Sequence, residues 1–233
     1  MPAHDSNSKR ESLSHVKNVL YIALSTILKM RKYVKAENIE ERDYQNLKVS
    51  VLRSNTKSKT SEQWLRDISA AFQSIDLGYL KGLTLLFKEK GEIDTILESY
   101  TFEISYKDAH VFISKASTEN ESLDCANIDL LKIISWLSST ISLMEDLPKG
   151  KTGANLSLDY HKRTPINYET KGFGEREVTF NFANDALVYN SAQLDTPYMF
   201  MVIKVDQSML RVESDKSSKP DESILPTDNH TGL

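Results

Sequence analysis

From Leu13 to about Tyr33, the apolar residues Val16, Leu20, Ala23, Ile27 and Met30 recur at steps of three and four. That spacing predicts an amphipathic helix of about 20 residues with one face on a core. Residues 1–12 ahead of it are polar and read as disordered. A second apolar stripe, Trp64, Leu65, Ile68, Ala71, Phe72 and Ile75, predicts another buried helix face. Thr60 with Gln63 three positions on supplies a capping-box start for it. Between the two helices Ala36–Arg53 is charged, and a short strand is expected at Lys48–Leu52, where Val49 and Val51 alternate with polar residues.

At Leu77–Gly78 the period changes from helical to alternating. Leu83, Leu85 and Phe87 alternate with Gly82, Thr84 and Leu86, and after a turn at Lys88–Asp94 the residues Tyr100, Phe102, Ile104 and Tyr106 alternate with polar neighbours. These two stretches predict a hairpin of half-buried strands. A weaker strand is expected at Val111–Ile113. A third helix is predicted over roughly Asn127–Leu147, from Leu130, Ile133, Ile134, Leu137, Ile141 and Met144, with Pro148 and Gly150 ending it. Leu156, Leu158 and Tyr160 alternate again. Val178–Phe182 and Leu187–Tyr189 are short strand candidates, and the almost continuous apolar run Tyr198–Val205 predicts a long buried strand. Helix, helix, hairpin, helix and a β-rich last third together read as an α+β fold in one domain.

Composition narrows the function. The chain has 233 residues, 39% hydrophobic and 27% charged, enough for a real core. Its formal net charge of −4 argues against direct nucleic-acid binding, and the Lys/Arg runs at Arg53–Lys59 and Lys149–Lys151 read as solvated faces. Cys125 is the only cysteine, so neither an internal disulfide nor a Cys-based zinc site can form within the chain. A reducing compartment, cytosolic or nuclear, is expected. The apolar run Val19–Leu28 is too short for a bilayer, and no membrane association is expected.

Catalytic signatures fail on inspection. Gly150-Lys151-Thr152 resembles the end of a phosphate-binding loop, but Glu145 stands where the first glycine belongs, and a helix precedes it. Gly172-Phe173-Gly174 lacks a third glycine and a strand–turn–helix setting. The five histidines are scattered without ligand spacing, and Asp159 with His161 has no nucleophile beside it. The expectation is no enzyme, no metal and no cofactor.

Three blocks in order carry a resemblance. They are Trp64–Ile75 running into Tyr79-Leu80-Lys81-Gly82-Leu83-Thr84-Leu85; then Ile96–Tyr106; then Met144–Pro148 followed by Leu156–Tyr160, Pro165-Ile166-Asn167-Tyr168 and Gly172-Phe173. Over residues 13–212 the chain resembles the HORMA domain of meiotic chromosome-axis proteins. The resemblance implies three helices on a central, mostly antiparallel sheet and a C-terminal safety belt, here 161–209. It implies that Leu156, Leu158 and Tyr160 form the edge that receives closure-motif peptides of axis or cohesin-associated partners. It also implies a role in homologue pairing, recombination and synapsis in meiotic nuclei. Residues 213–233 read as a disordered tail. Within it Ile224, Leu225 and Pro226 are the candidate closure motif through which the chain would close on itself or self-associate. Where the family often has arginine–glycine–leucine–phenylalanine–proline after the first helix, Met30-Arg31-Lys32-Tyr33-Val34 stands. A spindle-checkpoint or translesion-polymerase type HORMA adaptor is the second reading.

Overall fold

The computed structural model describes residues 3–90, 95–107, 122–174 and 186–208. Helix α1 spans Ala3–Met30, a single 3-10 turn Ala36–Asn38, strands β1 Ile39–Tyr44 and β2 Leu47–Leu52, and helix α2 Lys59–Asp76. Strands β3 Leu80–Glu89 and β4 Thr95–Tyr106, helix α3 Ser122–Leu143, and strands β5 Thr152–Tyr160, β6 Ala186–Asp195 and β7 Met199–Ser208 follow. Five strands form one antiparallel sheet in the order β5-β3-β4-β7-β6, and β1 with β2 makes a separate hairpin.

Register places the alternating residues as their period requires. Leu83 faces Phe102 and Leu85 faces Tyr100; across the next ladder Phe102 faces Ile203 and Tyr100 faces Val205. These side chains lie on one face with Leu20, Ile27, Ile68, Ile75, Leu130 and Leu137 of the three helices, in a single buried cluster. The long apolar run in β7 is buried on this face only: Met199, Met201, Ile203 and Val205 are inside, while Phe200 and Val202 are half-buried on the other.

Several boundaries differ from the sequence reading. Residues 3–12, expected to be disordered, are the first turns of α1, and Ser12 is already 4% exposed. Neither Gly nor Pro interrupts 3–12, so nothing in the sequence stops the helix from extending through this polar stretch. Ser58 rather than Thr60 caps α2, accepting from the Ser61 N–H, while Gln63 donates to Asp67 at 2.6 Å. Strand β1 was hidden by Glu40, Glu41, Arg42 and Asp43. Its turn to β2 is made by Gln45 and Asn46, both left-handed at φ 48° and 66°, the geometry of a two-residue hairpin loop. α3 starts earlier than expected and stops at Leu143. Lys32 turns the chain out of α1 at φ 55°, a conformation that glycine adopts without strain. The candidate strands at 111–113 and 178–182 lie outside the described residues, as does the whole stretch 213–233.

Where α1 meets the β1–β2 hairpin, His15 Nδ1 pairs with the Tyr44 hydroxyl at 2.8 Å, and Nε2 is buried without a partner among the described residues. Burial lowers the His15 pKa from 6.5, with Asp129 pulling the other way. A depressed histidine contributes stability that is complete above about pH 6.5 and is lost as pH falls through its folded value. The melting temperature is therefore expected to decline between pH 7.5 and 5.5. His15→Gln, which cannot titrate, should flatten part of that decline; an identical pH slope in the variant would exonerate His15.

Candidate functional site

Strand β5 forms one margin of the sheet. Its inner edge pairs with β3 from Thr152 opposite Glu89 to Tyr160 opposite Leu80. Its outer edge pairs with no strand among the described residues. An unpaired edge leaves a row of backbone N–H and C=O groups ready to pair with another extended segment. Leu156 and Leu158 stand opposite Leu85 and Leu83, so both point into the core: Leu156 is buried and Leu158 half-buried. What these two can offer a partner is backbone. Asp159 lies on the opposite face, paired with Lys81 at 2.7 Å.

After Tyr160 the chain folds back along this edge in consecutive turns. The His161 N–H donates to the Tyr79 carbonyl, Thr164 N–H to His161 O, Tyr168 N–H to Pro165 O, and Phe173 N–H to Thr170 O, each at 2.9 Å. Hydroxyl groups then pin the loop to the end of α2. The Tyr160 hydroxyl donates to Thr170 Oγ1 at 2.6 Å, and Ser74 Oγ bonds Thr170 Oγ1 at 2.7 Å and the Tyr168 hydroxyl at 3.0 Å. Ser74 and Thr170 are buried, and burial raises the Tyr160 pKa. The Tyr168 ring sits edge-on to Tyr79 and Tyr160, with centroids 4.8 and 5.7 Å away. Arg163 donates to the Gly78 carbonyl from Nε and Nη2 and lies 5.4 Å from the centre of the Tyr106 ring. His161 packs edge-on to Tyr106, and burial, then Arg163, lowers its pKa.

Between β5 and this loop lies a cleft of about 680 Å³, lined among others by Leu158, Tyr160, Thr164, Ile166, Tyr168 and Phe173. The three edge residues expected from the sequence are thus collinear on β5, and Leu156 also lines the cleft. Ile224, Leu225 and Pro226 lie outside the described residues. Ser74, Tyr79 and Tyr168 stood in the sequence only within the blocks that carry the resemblance, not as site residues, and Thr170 was not noted at all. Among the described residues no three His, Cys, Asp or Glu side chains come together as metal ligands, and no helix is long and apolar enough to cross a membrane.

A family model for the HORMA domain matches residues 12–199. The chain belongs to the HORMA domain family. Proteins of this family are interaction adaptors. Among relatives, this HORMA chain is 24% identical over 238 residues to HORMA domain-containing protein 2 of Bos taurus, covering 97% of the chain and 76% of that protein. It is 24% identical to HORMA domain-containing protein 1 of Rattus norvegicus, spanning 94% of the chain but only 58% of the relative's length. Among solved structures, C. elegans HTP-2 bound to a HIM-3 closure motif superposes with a TM-score of 0.72 at 18% identity, covering 85% of this chain and 91% of that one. The HORMA fold, three helices against a mostly antiparallel sheet, is therefore the architecture of this chain.

Proposed function

We propose that this HORMA domain is a non-enzymatic component of the meiotic chromosome axis that holds closure-motif peptides on the outer edge of β5. The observation that carries the reading is that edge: unpaired among the described residues, and faced across a cleft by a loop pinned at Ser74 and Gly78. Leu156, Leu158 and Tyr160 supply the receiving backbone, and the belt lies within 161–209. A partner segment adds a sixth strand by β-augmentation. Each new backbone bond contributes a net of about 0.5–1.5 kcal/mol, so four or five bonds alone give modest affinity after ordering costs. A chain crossing over the bound segment adds persistence instead, by slowing dissociation.

Partners of this chemistry are extended segments of axis or cohesin-associated proteins, in the nucleus and on meiotic chromosomes. The C. elegans complex, in which a like fold holds a closure motif, supports this choice. The likeness to HORMA domain-containing proteins 1 and 2 favours it over a checkpoint or translesion-polymerase adaptor. The deciding experiment is affinity purification from meiotic and from mitotic cells, with proteolytic footprinting of 161–209 against each recovered partner peptide. Axis peptides that protect this stretch are the expected result. Protection by checkpoint or polymerase peptides instead would move the protein to the second reading.

A further inference from the structure

At its first end the outer edge of β5 is already taken by a side chain from the end of α1. The helix finishes in a left-handed cap around Lys32: the Tyr33 N–H donates to the Leu28 carbonyl and the Lys32 N–H to the Lys29 carbonyl, both at 3.0 Å. This cap fixes the direction in which Tyr33 leaves the helix, in the stretch Met30–Val34 that departs from the family's usual one. The Tyr33 ring stands edge-on to Trp64 of α2 and to Phe87 of β3, with centroids 6.0 and 5.6 Å away. With the ring held there, its hydroxyl accepts the Ala154 N–H at 3.0 Å.

Parity decides which side of β5 this amide lies on. The His161 N–H reaches the Tyr79 carbonyl and the Lys151 carbonyl takes the Lys90 N–H, so odd positions along β5 face β3. Backbone groups alternate between the two edges of a strand. Ala154, Leu156, Leu158 and Tyr160 therefore turn their N–H and C=O groups outward, and Tyr33 occupies the first amide of that row. An oxygen 3.0 Å from the Ala154 nitrogen sits where the carbonyl of an added strand would sit. The phenol ring behind it fills the space that a neighbouring backbone needs about 4.8 Å away.

Resting on the reading that an extended partner segment pairs with β5, we propose that Tyr33 is a positioning residue that sets the register of that segment. Pairing runs from Leu156 to Tyr160, and the segment turns off the edge level with Ala154. A strand edge with no stop lets a partner slide by two residues and keep the same face, because side chains repeat with that period. Tyr33 removes this freedom at one end. The stop also selects sequence. Proline, which has no N–H, is accepted in the segment level with Ala154. It is refused at the positions whose N–H reaches the Leu156 and Leu158 carbonyls.

The test follows single amides of the full chain by hydrogen exchange, in the parent, Tyr33→Phe and Tyr33→Leu. Phenylalanine keeps the ring and loses the hydroxyl; leucine keeps an apolar contact and is too short to reach Ala154. In the free protein the Ala154 amide should exchange about fivefold faster in both variants, the loss of one net hydrogen bond. Asn155 and Ser157, which face β3, should keep the parent's rates. The bound state is read with peptides selected on the parent from a displayed library of random sequences. They should slow the Leu156 and Leu158 amides about tenfold or more and leave Ala154 as it was. Proline level with Ala154 should cost nothing in the parent and about tenfold in affinity in Tyr33→Leu, where the edge runs one pair further. Equal Ala154 rates in the parent and Tyr33→Phe overturn the role of Tyr33 and leave strand addition standing. So does slowing of Ala154 by peptide in the parent, or the same proline pattern in the parent and Tyr33→Leu. Peptides that bind without slowing Leu156 and Leu158, or a library that yields none, overturn strand addition on β5 and the proposal with it.

Discussion

Replacing Arg31 with alanine is expected to destabilise the protein by about 3–5 kcal/mol, which for a chain of this size lowers the melting temperature by roughly 10 °C. Arg31 follows the last turn of α1 and is buried with Glu98 of β4, to which its Nη2 donates. The same nitrogen donates to the Glu145 carbonyl beyond α3, and the Tyr100 hydroxyl donates to the second Glu98 oxygen at 2.9 Å. One ion pair thus joins α1, β4 and the end of α3. Burial raises the Glu98 pKa above its usual 4.5, with Arg31 and Tyr100 opposing it. For a raised carboxyl the sign is that its contribution is complete below about pH 4.5 and is lost as pH rises through the folded value. At neutral pH the fold therefore carries a charge it has desolvated, and removing Arg31 strands that charge. The penalty should shrink as pH falls and Glu98 takes a proton. Arg31→Met combined with Glu98→Leu should recover most of the loss, since an apolar pair of similar volume needs no compensation. Denaturant unfolding measures all three; an Arg31→Ala chain within about 1 kcal/mol of the parent would show the pair to be dispensable.

The sequence was legible where burial imposes a period. The stripe Trp64–Ile75 and the alternations Leu83–Phe87, Tyr100–Tyr106 and Leu156–Tyr160 each became the expected element, because one face of each meets the same core. β1 was missed for the complementary reason. Its residues are half-buried or exposed, so Glu40–Asp43 were free to be charged and left no apolar mark. The early turns of α1 were missed likewise, since a polar helix extension needs only continuity with a buried stretch. At the candidate site the strand was visible but the wall was not. Ser74 and Thr170 are 96 positions apart, and two hydroxyls that meet only after folding leave no trace in local composition.

The second large effect concerns β7. Ile203→Ala is expected to cost about 2–5 kcal/mol and to unfold the chain in one transition. Ile203 is fully buried, facing Phe102 on one side and Ala192 on the other, in a strand hydrogen-bonded along both edges. This placement limits what the proposed belt can do. Swinging all of 161–209 away from the sheet would strip Met199, Met201, Ile203 and Val205 from the core. At about 1.5–3 kcal/mol for each, the loss is on the order of 6–12 kcal/mol, comparable to the whole stability of a typical domain. An opening that leaves the fold intact must therefore keep β7 in place and act upstream of Ala186. Removing β7 amounts to unfolding, which would make escape of a trapped segment as slow as unfolding itself. Native-state hydrogen exchange checks the point directly. The β7 amides should exchange only through global unfolding, and Ile203→Ala should speed them by the same factor as it speeds β4. Exchange of β7 well ahead of β4 would mean that this strand detaches alone, and the belt could then be as long as 161–209.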